Sequence, residues 1–365
     1  MQRSRLWRRL SEAIPAAPSP MQAAKLRVQC AVLLARHGQN GEARDELTAL
    51  HLLNFQSPLR ELGAWLHYAE GVTLYFSEFG SCDGAQLERA AAMAAALGDV
   101  ELQALCSAWL AWFAFVEHDV QAVARHALAA RALMAPGHHT AQARLAMTLA
   151  VAHDFAGRMA EAQAWYANAR QHVAAEGDDA GQSAVMFNNT AMRVAQARRE
   201  SLEPAGAAHA TPLMGAQSTE HYDAAKRIEL MPDLGPLMRA QLLVAAGEYA
   251  AARELYVTHL PGIQSRGLDR LSSSLLADLA LCRAHLGEAA LALQQAEAAE
   301  LECNAEVEID DRAITWGRLA QVYAVLNQSE RAAQAQQRAV QEHAAFTAEQ
   351  QQWAAALAAP ELRQP

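Results

Sequence analysis

A short motif of fixed internal spacing recurs along the chain and constrains its fold more than any other feature. In the stretches AGRMAEAQAWYANA (156–169) and AGEYAAARELYVTH (246–259), a glycine is followed by an alanine five positions later and by a tyrosine four positions after that. A glycine can end one helix in the left-handed conformation. The alanine on the next helix lets two helices cross closely, and the aromatic ring one turn later fills the space beside the crossing. Each copy therefore predicts a pair of antiparallel helices joined by a tight turn.

The motif repeats at a nearly constant distance along the chain. Its first positions are Gly38, His118, Gly157, Gly247, Gly287 and Asn327. These positions are separated by 80, 39, 90, 40 and 40 residues, so the period is near 40, with one unmarked unit in the first interval and one lengthened unit in the third. The unmarked unit is predicted to be a helix over 58–76 and a second helix that Asp83 caps and Gly98 ends. The spacing predicts about eight helical hairpins.

The composition agrees with an all-α fold. Hydrophobic residues make up 52% of the chain, which is rich in Ala, Leu, Gln and Glu, all strong helix formers. The runs of Val and Ile that build strands are missing from the sequence. Because a helical hairpin can bury its apolar face only against neighbouring hairpins, the repeats are expected to stack into an α-solenoid.

Two stretches resemble the tetratricopeptide repeat, whose signature is W-x2-L-G-x2-Y followed by A-x3-F/Y and often by proline. WGRLAQVY at 316–323 matches the first part closely, WLHYAEGV at 65–72 matches it more loosely, and Pro136 lies where the proline would close the third hairpin. The usual unit has about 34 residues. Units near 40 are similar to the longer repeats of bacterial regulatory proteins, and HEAT-like repeats are the alternative. The resemblance implies a right-handed superhelix that binds proteins or peptides.

The repeats define the expected domain organisation. Residues 1–21 form a basic N-terminal segment with a Pro-rich lead-in, residues 22–345 form the repeat array, and residues 346–365 form a C-terminal capping helix and tail. The lengthened unit places about ten extra residues in the stretch RRESLEPAGAAHATPLMGAQ (198–217). We expect this stretch to be a long polar, mobile loop inside the fifth hairpin, either functional or a tolerated surface insertion.

Charge, hydropathy and cysteine content exclude several classes of function. The formal net charge of −10 argues against a nucleic-acid partner, which requires basic surface. No segment approaches 18 uninterrupted apolar residues, so no membrane span is predicted. The five cysteines contain no C-x-x-C pair and are expected to be reduced thiols of a cytoplasmic protein.

Residue patterns that carry catalysis or hold metals are missing from the sequence. It has no Gly-rich phosphate loop, no G-x-S-x-G and no H-E-x-x-H, so neither an enzyme activity nor a cofactor is expected. His138 and His139, with His153 further on, lack acidic or cysteine ligands at a useful spacing, so no metal site is predicted. Asp310 and Asp311 directly precede a predicted helix, where they are expected to cap it.

Aromatic residues are concentrated in one part of the predicted array. Ten of the 22 aromatic residues fall within 55–115. In a stack of helical hairpins, the first helix of each hairpin lines the concave face. Projection from the glycine positions places five residues on that face, and we predict that they bind a partner, with the three aromatic ones exposed: Tyr75, Trp112, Phe115, Arg144 and Asp154.

The sequence leaves two non-enzymatic functions open. The first is a scaffold or adaptor that binds a protein or peptide through the concave face, in a bacterial regulatory or assembly process. The second is a sensor of a small apolar ligand or signal peptide, which requires a closed pocket around residues 105–155. Exposed terminal helices would also allow a homodimer.

Overall fold

The structure, a computed structural model, describes residues 4–77, 84–202, 210–266 and 268–365. In these ranges the regular elements are helices and no strand occurs. The α-helices are α1 (Arg5–Ala13), α2 (Pro20–Arg36), α3 (Asn40–Gln56), α4 (Arg60–Ser77), α5 (Ala85–Leu97), α6 (Val100–Val116), α7 (Val120–Leu133), α8 (His139–Phe155), α9 (Met159–Glu176), α10 (Asp179–Glu200), α11 (Ala210–Lys226), α12 (Leu234–Ala245), α13 (Tyr249–Ser265), α14 (Ser272–His285), α15 (Ala289–Glu302), α16 (Ile309–Val325), α17 (Ser329–Ala356) and α18 (Pro360–Arg363).

The chain divides into two compact units. Unit 1 comprises Met1–Met186, Tyr222–Leu230 and Gln352–Pro365, and unit 2 comprises Phe187–His221 and Met231–Gln351. In unit 1, α2 packs against α3, α4 against α5, α6 against α7 and α8 against α9; in unit 2, α12 packs against α13 and α14 against α15. First helices of successive hairpins also pack directly, as α6 does against α8 and α14 against α16. The prediction of an all-α fold of helical hairpins is confirmed.

The turns obey the spacing of the sequence motif. All six motif positions have a left-handed backbone, with φ angles of 82° at Gly38, 57° at His118, 73° at Gly157, 78° at Gly247, 80° at Gly287 and 59° at Asn327. The residues five positions later are buried in five of the six copies, with exposures of 0% for Ala162 and Ala252, whereas Ala332 is half-buried. The tyrosines of the two motif copies, Tyr166 and Tyr256, are also 0% exposed. The motif therefore marks the hairpin turns and the crossings beside them.

The predicted loop at 198–217 is shorter than expected. Helix α10 continues to Glu200 and α11 begins at Ala210, so most of the stretch that the structure describes is helical. Helix α11 contains Pro212 in its first turn, where a proline costs no intrahelical hydrogen bond. Residues 203–209, and Asp83 with its predicted capping role, lie outside the described residues.

Both ends of the chain carry buried apolar residues. Leu6 and Leu10 of α1 pack with Cys30 and Leu33 of α2, and Arg9 pairs with Glu176. The basic N-terminal segment is therefore anchored by its apolar face as well as by charge.

The C-terminal segment is likewise anchored in unit 1. Leu362 is 0% exposed, and its carbonyl oxygen accepts hydrogen bonds from His153 Nε2 at 2.8 Å and Trp165 Nε1 at 2.9 Å. Pro360 begins the short final helix α18. In the described ranges, no helix combines the length and the apolar character needed to cross a membrane.

Unit 2 contains a buried network of charged groups. Asp278, 0% exposed, accepts hydrogen bonds from Arg198 Nη2 at 2.9 Å, Arg318 Nε at 2.8 Å and the Tyr256 hydroxyl at 2.9 Å. Arg198 Nη1 also lies 3.3 Å from Asp311 Oδ1. Asp310 and Asp311 lie inside the first turn of α16, whose N-cap is Glu308 without a side-chain cap, so the expectation that they precede and cap this helix is wrong. Asp311 instead belongs to this network, which links α10, α13, α14 and α16.

Candidate functional site

Four of the five predicted partner-binding residues lie together in unit 1. The ring centroids of Tyr75 on α4 and Trp112 on α6 are 6.5 Å apart, and Phe115 stacks on Trp112 at 5.8 Å. The guanidinium of Arg144 on α8 lies 5.5 Å from the Trp112 ring. These residues meet because α4, α6 and α8 are the first helices of successive hairpins. Asp154 is half-buried and lies ten residues further along α8, roughly 15 Å from Arg144 at the rise of an α-helix.

The expected exposure of the three aromatic residues is wrong for Trp112. Its side chain is buried, with 8% exposure, while Tyr75 and Phe115 are half-buried. Phe115 is covered from one side by Trp353, whose ring centroid lies 5.4 Å away, and Trp353 is itself 1% exposed. The aromatic face is thus partly filled by the end of the chain, and its rings serve as packing as well as surface.

Arg144 is the most unusual residue of this group. Its side chain is buried, with 7% exposure, and its guanidinium stacks on the Trp109 ring at 3.7 Å. Among the described residues it has neither a carboxylate partner nor a hydrogen-bond acceptor. Burial, and next the nearby charge of Arg36, lowers the pKa of Arg144 to about 9. The guanidinium is therefore buried without a directly paired carboxylate among the described residues, although the nearby charge of Asp178 acts to raise its pKa. Proteins ordinarily avoid burying a charge without such a pair.

A small pocket opens beside Arg144. Its lining includes Arg36 from α2, Tyr68 from α4, Trp109 from α6 and Asp178 at the start of α10. Four successive first helices, α2, α4, α6 and α8, therefore contribute to one pocket. Its free volume is about 30 Å³, which is room for about two water-sized groups.

The pocket carries a net positive charge. Among the lining residues that the structure describes, Asp178 is the one acidic residue. It is engaged twice: its Oδ2 lies 2.7 Å from Arg36 Nη2, and its Oδ1 accepts a hydrogen bond from Gly181 N at 2.9 Å. Asp178 thus pairs with Arg36 and caps α10. Its charge also favours the protonated form of Arg144, but it forms no ion pair with that guanidinium.

The titratable neighbours of this pocket favour binding over catalysis. Burial raises the pKa of Tyr68 to about 12, so its hydroxyl stays protonated at neutral pH. Burial also raises the pKa of the Cys106 thiol, next to which Tyr68 lies, well above its ordinary range. Neither group is an activated nucleophile or base. The arrangement can attract and orient an anionic group.

A second, larger cleft lies between α3 and α4. It has a free volume of about 380 Å³ and is lined mainly by half-buried and exposed polar residues, among them Arg44, Thr48 and Gln86. Its acidic group is already paired, since Glu70 Oε1 lies 2.8 Å from His51 Nε2. This cleft has the size for a ligand but no buried charge that would select one.

The pocket near residues 105–155 is not suited to a small apolar ligand. Sites for drug-sized molecules typically enclose about 300–1,000 Å³, whereas this pocket has about 30 Å³ and two guanidinium groups in its lining. The sensor hypothesis in its apolar form therefore has no support from this geometry.

The three histidines considered as metal ligands have separate partners. His139 Nδ1 lies 3.0 Å from Nδ1 of His172, His138 Nε2 lies 3.8 Å from Glu101, and His153 binds the Leu362 carbonyl. In the part of the chain that the structure describes, no three His, Cys, Asp or Glu side chains form a metal-binding group.

The fold is similar to that of a known protein of unrelated sequence. The crystal structure of a Rap protein complexed with competence and sporulation factor matches with a TM-score of 0.55 and 10% sequence identity, over 89% of this chain and 99% of the Rap chain. No protein-family model matches the sequence, and no curated protein matches it. The chain therefore has a TPR-like helical-repeat fold, and at this identity the likeness extends to the fold alone.

Proposed function

We propose that the protein is a non-enzymatic regulatory adaptor that binds a protein or peptide partner. The binding face is formed by the first helices α2, α4, α6 and α8 of unit 1. Its proposed contact residues are Tyr75, Phe115, Arg144 and, further along α8, Asp154. The buried ring of Trp112 packs against Phe115 and Arg144 and holds them in place.

The observation that carries this proposal is the buried guanidinium of Arg144, which has no ion pair among the described residues, in a pocket shared by four successive hairpins. A charge that is costly to the isolated fold indicates a missing partner of opposite charge. The half-buried rings of Tyr75 and Phe115 beside it supply the aromatic anchors that dominate protein and peptide interfaces.

The structural neighbour supports the same class of function. A Rap protein with this fold has been crystallised with competence and sporulation factor bound, so the fold can carry a recognition site for a signalling factor. We infer that the present chain acts in a comparable bacterial regulatory process, with its own partner.

Affinity selection from a random peptide library tests the proposal directly. The full-length protein is immobilised and the library is selected on it, after which enriched peptides are synthesised and titrated by fluorescence anisotropy. We expect Phe115→Ala to weaken binding at least about tenfold, since aromatic anchors contribute more than about 1.4 kcal/mol. The matched control is Phe55→Ala, which removes a phenylalanine that is 84% exposed on α3, and it should change the affinity less than about twofold.

Two results would contradict the proposed function. Failure to enrich any peptide above the background of the bare matrix would remove the peptide-binding role. Equal losses from the Phe115 and Phe55 substitutions would remove the assignment of the face.

A further inference from the structure

We propose that the pocket beside Arg144 binds a carboxylate group of the ligand; this inference rests on the proposed function and specifies its chemistry. The ligand's carboxylate takes the position of the counter-ion that Arg144 lacks. Arg144 lines the pocket and is only 7% exposed. Its side chain donates no hydrogen bond to any residue that the structure describes.

The charges around the pocket select an anion. The two oxygens of Asp178 are engaged by Arg36 and by the Gly181 amide, so Asp178 acts on Arg144 through its charge alone and forms no ion pair with it. The guanidinium carbon lies over the Trp109 ring, 3.7 Å from its centroid, and its N–H groups make no hydrogen bond to a described residue. The edge of a guanidinium carries these N–H groups. Such an edge matches the two oxygens of a carboxylate in a bidentate pair.

The start of α8 strengthens the attraction for an anion. Thr140 and Ala143, in the first turn of α8, line the same pocket, and the residue before the helix, His138, makes no side-chain cap. The free N–H groups and the dipole at a helix N-terminus favour negative charge. The helix start is a secondary contribution, since the buried guanidinium defines the site.

The size of the pocket distinguishes between anions. A free volume of about 30 Å³ holds about two water-sized groups, which corresponds to the two oxygens of a carboxylate. A phosphate has four oxygens and does not fit. The carboxylate can belong to the C-terminus of a peptide or to an Asp or Glu side chain, and the experiment separates these two sources.

The first arm of the experiment uses a small probe and does not depend on any peptide. Thermal unfolding of the full-length protein is followed in N-acetylglycine and, at matched ionic strength, in its neutral analogue N-acetylglycinamide. At a concentration about ten times the dissociation constant, the carboxylate should raise the Tm of unit 1 by about 3–5 °C. The neutral analogue should not raise it.

Variants assign this shift to the pocket. Arg144→Met should abolish the shift, and Arg144→Lys, which keeps the charge but not the bidentate geometry, should retain part of it. The matched control is Arg338→Met, which removes a guanidinium that lies 4.6 Å from the Trp316 ring and is exposed; it should leave the shift unchanged.

The second arm uses the selected peptides. Each peptide is prepared with a free C-terminus, with a C-terminal amide, and with its acidic side chains replaced by amides. One of these neutralisations should weaken binding to the wild type at least about 30-fold, as expected for one partner of a buried charge pair. The same change should have no further effect on the Arg144→Met variant, and the form that loses affinity identifies the source of the carboxylate.

The outcomes separate the two proposals. A Tm shift that persists in Arg144→Met, or equal shifts from both small probes, overturns the carboxylate site. Selected peptides that bind wild type and Arg144→Met with equal affinity also overturn it, while the peptide-binding function stands. A carboxylate-specific shift without any enriched peptide supports the carboxylate site and contradicts the peptide-binding function.

Discussion

Replacement of Arg144 by methionine is expected to stabilise the protein. Burial lowers the pKa of Arg144 to about 9, against about 12.5 for a free arginine. At about 1.4 kcal/mol per pKa unit, the buried charge costs the fold about 5 kcal/mol. The stack on Trp109 at 3.7 Å offsets up to about 2 kcal/mol. Methionine has a similar length and no charge, so we expect unfolding of unit 1 to require about 2–3 kcal/mol more.

The assay is thermal and chemical unfolding of wild type and variant in parallel. For a unit of roughly 200 residues, 2–3 kcal/mol corresponds to an increase in Tm of about 5–10 °C. Because the chain has two units, hydrogen exchange of peptides from α6 and α8 assigns the change to unit 1. Arg338→Met should change stability by less than about 1 kcal/mol.

A loss of stability would refute the reasoning. If the free energy of unfolding of Arg144→Met is lower than that of the wild type by more than about 1 kcal/mol, the guanidinium stabilises the core. The pocket would then be a packing defect around it, without a missing ligand.

Three further predictions concern the scaffold. Asp278→Asn removes the carboxylate that pairs with Arg318 and leaves Arg198 with Asp311 alone, and it should destabilise unit 2 by about 3–5 kcal/mol in denaturant titrations. Asp310→Asn, in the half-buried first turn of α16, should cost less than about 1 kcal/mol. Burial lowers the pKa of His153, so the unfolded chain binds a proton more readily than the folded chain. The stability from this residue is therefore complete above about pH 6.5 and falls as the pH drops below that value. Hydrogen-exchange protection of the segment around Leu362 should decrease from about pH 7 to about pH 5 in the wild type but not in His153→Gln. Arg227 has a φ of 53°, so Arg227→Gly should raise the unfolding free energy by about 0.5–1 kcal/mol, and a decrease would show that its side chain compensates for the strain.

The fold could be predicted because its determinants are local. Within ten residues the motif specifies a turn, a helix crossing and an aromatic ring that fills the space beside the crossing. The turn depends on the backbone freedom of one residue, and the crossing and the ring each depend on the size of one side chain. The spacing places His118 and Asn327 correctly at turns although they are not glycines, since the positions around them keep the motif. The helical part of 210–217 is missed because Pro212 suggests a loop, while the first turn of a helix tolerates it.

The candidate site could be predicted only in part because it depends on long-range contacts. Projection of the first helices correctly brings Tyr75, Phe115 and Arg144 together. It cannot show that Trp353, over 200 residues later, covers Phe115. Nor can it show that Asp178 is taken by Arg36. An arginine inside an otherwise apolar helix is the available signal, but its lack of an ion pair emerges only when its neighbours are known.

The most direct test of the account is the location of the bound peptide. A selected peptide carrying a photoreactive benzoylphenylalanine is irradiated with the full-length protein, and the adducts are mapped by mass spectrometry. We expect the adducts on α4, α6 and α8, near Tyr75, Phe115 and Arg144, and their loss when unlabelled peptide competes. Competable adducts confined to the cleft between α3 and α4, or to unit 2, would contradict the binding face proposed for this protein.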